Sequence, residues 1–145
     1  MFKKIAVAFD ESPEAERVLR SAMDLAHLAS CEINLVTVIE DFPAYMSYVD
    51  AESPGVRTLL KDQRRAFYFD LHNRAKAEAE ESGVTVRSAL VEGNEIEALL
   101  RVLDQIQPDL LVVGFSQKLC MLGQVLGGRA YQFALHARYD ILGIR

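Results

Sequence analysis

The sequence predicts a single α/β domain over residues 1–145, an open, doubly wound, five-stranded parallel sheet with helices on both faces. Apolar runs of strand length alternate with segments of helical spacing, in the order β-α-β-α-β-α-β-α-β. The first run, Lys4 to Phe9, begins almost at residue one and lacks strict alternation, as a strand covered on both faces requires. No Gly/Pro/Ser-rich stretch, low-complexity segment or internal repeat interrupts the order, and parallel strands linked through helices cross over right-handedly.

Each element has its own signals. After Lys4–Phe9 comes Asp10-Glu-Ser-Pro, in which Ser12 is the expected N-cap, Pro13 the first helical residue and Glu14 a complement to the helix dipole. Ala15, Val18, Leu19, Ala22, Leu25, Ala26 and Ala29 carry that helix to about Ser30. Ile33–Ile39, rich in β-branched residues, is the second strand. A long connection, Glu40 to Gly55, holds two prolines but also Phe42, Tyr45, Met46, Tyr48 and Val49. Those residues suit a lid over the carboxyl end of the sheet or a partner contact. Leu60, Phe67, Leu71 and Ala75 give the helix from Val56 to Glu81 an inward stripe, and Ser82-Gly83 closes it. Val84–Val91 alternates enough for a strand near a sheet edge. Asn94 caps a helix bearing Ile96, Leu99, Leu100, Leu103 and Ile106, which Pro108 ends. Leu110–Val113 is the fourth strand, Ala130, Phe133, Ala134 and Ala137 mark the last helix, and Ile141–Ile144 the fifth strand.

Composition narrows the function. A formal charge of −5 argues against non-specific nucleic-acid binding, which needs a basic surface. No apolar window is long enough to span a bilayer and the N-terminus has no secretory pattern, so a cytoplasmic protein without a membrane partner is expected. The two cysteines, Cys31 and Cys120, and the three histidines have no metal-like spacing, so no metal site is expected. The chain has no Walker lysine motif, no metal-binding carboxylate pair on adjoining loops and no nucleophile–base arrangement, which favours a non-enzyme with no catalytic residue. The most informative stretch is the one after the fourth strand. Gly114 ends the apolar run abruptly, and Gly127-Gly128 opens a helical segment, so backbone N–H groups there can face an anion.

Several stretches together resemble the universal stress protein family over almost the whole chain. They are Lys3-Lys-Ile-Ala-Val-Ala-Phe-Asp-Glu-Ser12 with Ala15-Glu-Arg-Val-Leu19, Leu35-Val-Thr-Val38, Pro108 to Gly114, and the closing His136 to Ile144. The resemblance implies an adenine nucleotide alpha-hydrolase-like fold with strand order 3-2-1-4-5. The order then reverses between the first and fourth strands, and open α/β sheets bind ligands at such a switch point. It also implies a homodimer through the C-terminal edge strand, where Gly143 lets two backbones approach.

Family members that bind ATP carry a glycine, two residues, a glycine, nine residues, then glycine and serine or threonine. Gly114 and Gly127 occupy the first and last glycine places, Gln117 replaces the middle one, Gly128 replaces the hydroxyl residue and Arg129 follows. By the resemblance Asp10 contacts the ribose, Val38 and Val113 line the adenine slot, and the Gly114 and Gly127 backbone faces phosphates. Gln117 opposes close backbone approach, and a lost hydroxyl costs about 0.5–1.5 kcal/mol. Phe9 is bulky for a neighbour of the slot. A regulatory stress-response homodimer with a degenerate nucleotide crevice is therefore expected. The alternative is an ATP-binding regulatory module, with magnesium, in which Arg129 and Lys118 replace the lost contacts; a nucleotide hydrolase ranks below both.

Overall fold

The computed structural model describes residues 1–114 and 137–145. Five parallel strands are ordered β3-β2-β1-β4-β5, with β1 at Lys4–Ala8, β2 at Glu32–Glu40, β3 at Val86–Gly93, β4 at Leu110–Gly114 and β5 at Asp140–Ile144. The expected fold class and strand order are both found.

Strand alternation assigns each residue to one of two cores. Ile5, Val7 and Phe9, with Ile33 and Leu35, Leu110 and Val112, face α1 (Ala15–Ala29) and α3 (Val56–Glu81). Ala6, Val36 and Leu111 face α4 (Glu95–Ile106). Both faces of β1 are thus covered, which explains why its sequence is apolar throughout instead of alternating.

Helix boundaries show where local chemistry prevailed. Asn94 caps α4 as expected, its side-chain oxygen accepting from the Ile96 and Glu97 amides at 3.2 and 3.3 Å. Ser12 does not cap α1. Its own amide instead donates to Asp10 Oδ1 at 2.9 Å, and the helix starts later, at Ala15 after Glu14. The aspartate two residues upstream forms a turn with the serine amide and so displaces the cap.

Two further expectations are corrected. The 40–55 connection contains a short helix, α2 (Met46–Glu52), which packs on α3 and leaves Tyr45 and Tyr48 exposed. In α3 the buried residues are His72, Ala75 and Ala79, whereas Phe67 is exposed. Of the expected stripe, Ala75 is in the core and Leu71 packs against it. Of the expected last helix, Ala130, Phe133 and Ala134 lie outside the described residues, and Ala137 belongs to the connection before β5. No helix among the described residues is long and apolar enough to cross a membrane.

Candidate functional site

The carboxyl rim at the junction of β1 and β4 brings several sequence-derived residues together. The pairing of Ala8 with Val36, carried two residues on, sets Asp10 opposite Val38. The Phe9 amide donates to the Val36 carbonyl at 2.9 Å, so the ladder does extend beyond Ala8. On the other side Val7 pairs with Val112, which places Ala8 beside Val113 and Phe9 beside Gly114. Asp10 and Gly114 therefore leave adjacent parallel strands on the same rim, where the strand order reverses.

Three apolar residues form a strip across this rim on the α4 face. Val38, Ala8 and Val113, from β2, β1 and β4, are each only partly buried, while Val36, Ala6 and Leu111 one layer deeper are fully covered. The central residue, Ala8, is smaller than the two valines that flank it. Ala8 was not singled out from the sequence; its signal was a residue without bulk at the end of the central strand. Phe9 does not lie on this strip. Its ring points to the opposite face, buried against the α1/α3 core and edge-on to His72 with centroids 5.8 Å apart.

Asp10 lies exposed beside the strip, one carboxylate oxygen accepting from the Ser12 amide and the other available. It can accept hydrogen bonds from vicinal hydroxyls, as a flat apolar strip can take an aromatic ring. Gly114 also has a packing role that the glycine pattern does not suggest. A β-carbon there would lie 3.1 Å from Val18 Cγ2 and 3.6 Å from Glu14 Cβ, so the glycine lets α1 pack closely on β4. Gly114→Val is expected to destabilise the protein by about 1–3 kcal/mol through overpacking. Adding Val18→Ala should restore much of that loss in chemical denaturation, and no restoration would show that packing is not the reason for the glycine.

Glu14 also stands at this rim. Its Oε2 is shielded from solvent and has no hydrogen-bond partner among the described residues. A carboxylate next to Gly114 repels phosphate charge, a feature the glycine pattern alone does not disclose. Gln117, Lys118, Gly127, Gly128 and Arg129 lie outside the described residues.

Sequence reasoning also missed a polar cluster beneath β1 and β2. His72, 1% exposed, has Nε2 2.6 Å from Thr37 Oγ and Nδ1 3.0 Å from Ser88 Oγ. The Thr37 hydroxyl donates to the Phe9 carbonyl. Burial, with a smaller push from Lys76, lowers the His72 pKa to about 4, so the ring is neutral at physiological pH. Nearby, the Tyr68 hydroxyl donates to Glu11 Oε2 at 2.7 Å, and burial together with that bond holds its pKa above the usual range.

Where α3 passes beyond the sheet, its inward residues become cationic. Lys61 and Arg65 both pair with Glu92, whose carboxyl is held below its usual range chiefly by hydrogen bonds from these two residues. Arg64 donates to the Glu40 carbonyl and stacks 4.9 Å from the Phe42 ring centroid. No group of three or more potential metal-ligating side chains occurs among the described residues.

Comparison with known proteins agrees with this architecture. The model of the "Universal stress protein family" matches residues 1–145. A putative universal stress protein of Staphylococcus haemolyticus is 26% identical over 99% of the chain and 85% of its own length. The crystal structure of a universal stress protein family member from Burkholderia pseudomallei superimposes with a TM-score of 0.74 at 28% identity, covering 98% of this chain and 95% of that one. A family protein from Arabidopsis thaliana, solved with AMP bound, shares the fold with a TM-score of 0.69 at 19% identity, covering 98% and 90%.

Proposed function

The chain belongs to the universal stress protein family, and we propose that it is a cytoplasmic regulatory homodimer whose crevice takes the base and ribose of an adenine nucleotide but grips a triphosphate poorly. The partly open Val38–Ala8–Val113 strip beside Asp10 at the switch point carries this reading. It offers an apolar face for a base and a carboxylate for ribose hydroxyls. The AMP-bound Arabidopsis relative shows that this fold can accommodate such a ligand. Against strong phosphate binding stand Gln117 and Gly128 in the glycine pattern and the Glu14 carboxylate beside Gly114, unpartnered among the described residues. No catalytic role is assigned to any of these residues.

Calorimetric titration with AMP and with ATP plus magnesium tests the proposal. AMP should bind, ATP should bind no more tightly, and Asp10→Asn should weaken AMP about tenfold, the usual effect of removing a charge-assisted hydrogen bond. Failure of AMP to bind would remove the base-and-ribose reading. ATP binding much tighter than AMP, and weakened by Arg129→Ala, would favour the alternative in which Arg129 and Lys118 hold the phosphates.

The dimer is supported by the contrast between the two sheet edges. β3 exposes Arg87 and Ser88, whereas β5 presents Ile141, Leu142 and Ile144, all only partly buried, along an edge left unpaired in one chain. Light scattering should give a dimer that Ile144→Lys converts to monomer, and a dimer persisting in the variant would exclude this contact.

A further inference from the structure

We propose that His72 and Thr37 are positioning residues for Asp10, holding the end of β1 at the angle that presents its carboxylate to the crevice. The inference builds on the reading of Asp10 as a ligand contact but follows from separate geometry.

Hydrogen-bond directions in this cluster are determined by the groups present. The Phe9 carbonyl can only accept, so the Thr37 hydroxyl donates to it. Thr37 Oγ must then accept from His72, which places the imidazole proton on Nε2. Nδ1 of the neutral ring is therefore the acceptor, and Ser88 donates to it. The resulting chain, Ser88 to His72 to Thr37 to Phe9, crosses from β3 through α3 and β2 to the end of β1. Every polar atom of the imidazole is satisfied, which is how a ring 1% exposed can be kept there.

The chain terminates on the carbonyl that forms the peptide bond with Asp10. On the other side of Asp10, Glu11 is held by Tyr68, one helical turn before His72 in α3. Both neighbours of Asp10 are thus tied to one helix, one through a buried relay and the other directly. Asp10 itself is exposed, and among the described residues its carboxylate bonds only to the Ser12 amide within its own turn. Its position is consequently set by what anchors Phe9 and Glu11. Two buried polar side chains, His72 and Thr37, directed at one backbone carbonyl exceed what closing the core would require, since an apolar residue at 72 would serve packing alone.

The test compares Thr37→Val, which keeps the shape and removes the hydroxyl, with Thr37→Ser, which keeps the hydroxyl. Amide hydrogen exchange is followed in the full chain without nucleotide, and AMP affinity is measured alongside. In Thr37→Val the Phe9 and Ser12 amides should exchange at least tenfold faster relative to the α4 amides, and AMP should bind about tenfold more weakly. Thr37→Ser should return both values to wild type. Equal acceleration across all amides, or unchanged exchange at Phe9 and Ser12, would reduce the cluster to a structural role and overturn the proposal. Faster local exchange with unaltered AMP affinity would overturn it too. If the wild-type protein binds no AMP, the exchange measurement alone decides whether the relay holds the end of β1.

Discussion

Lowering the pH from 6.5 to 4 should remove about 3 kcal/mol of stability through His72 alone. The unfolded chain takes up a proton on this imidazole near its ordinary pKa of 6.5, whereas the folded protein resists until about 4. Above 6.5 the ring is neutral in both states and contributes no pH dependence. Between 6.5 and 4 the unfolded state binds more protons, so stability falls as pH falls, by about 1.4 kcal/mol per pH unit at most. Below 4 both states are protonated and the loss levels off. Burial is the main cause, because the ring is enclosed by Phe9, Thr37 and the α3 backbone; Lys76, one turn along, adds repulsion. Carboxylates such as Glu92 and Asp109, both held below their usual range, also favour the folded state less as pH falls. The comparison with His72→Gln cancels their contribution. Urea unfolding of the two proteins at pH 7.5 and at pH 4 should show the wild type losing about 3 kcal/mol more than the variant. Parallel losses would mean that the ring is not buried neutral.

The residues behind this behaviour were hidden in the sequence for a physical reason. Periodicity reports which side of a helix faces inward, and His72 does lie on the same face as Ala75 and Ala79. It does not report what a polar residue on that face will meet. Thr37 and Ser88 lie in strands separated from His72 by 35 and 16 residues, and only the parallel pairing of β2 with β3 brings them to one point. A lone histidine in an apolar stripe is most economically read as a core residue, and that reading contains no relay.

The fold was far more legible. Runs such as Lys4–Ala8 and Leu110–Gly114 are apolar on both faces because helices cover both, and that pattern alone specifies a parallel α/β sheet. The strand order required the family resemblance, since β1 pairing with β4 depends on contacts a hundred residues apart that no local signal encodes. Motif position singles out Asp10 and Gly114; the structure brings them to one rim and gives Gly114 a packing duty against Val18 that a phosphate motif does not suggest. Local competition explains the misplaced cap: Asp10 takes the Ser12 amide before Ser12 can serve the helix. In α3 the inward face holds His72, Ala75 and Ala79, and Phe67 stays exposed because apolar character alone does not fix which face turns inward.

Ala8→Leu should cut AMP affinity about 100-fold, a loss of ~2.7 kcal/mol, while the protein remains folded. Ala8 lies between Val38 and Val113 on the α4 face and is partly exposed there, so a larger side chain extends toward the open rim instead of into a closed core. Core residues one layer deeper have no such outlet: Ala6 is 0% exposed, and the same substitution there would overpack the interior. Comparing the two positions separates occlusion of a site from damage to the fold. Ala6→Leu should lower the thermal midpoint markedly, whereas Ala8→Leu should shift it by only a few degrees, the effect of about 1 kcal/mol or less. The loss at Ala8 should also exceed the tenfold effect of Asp10→Asn. A blocked strip excludes the whole base, but a neutralised carboxylate still leaves an amide oxygen to accept from ribose. If Ala8→Leu binds AMP as wild type does, the nucleotide does not rest on the Val38–Ala8–Val113 strip, and Asp10 cannot be its ribose contact either.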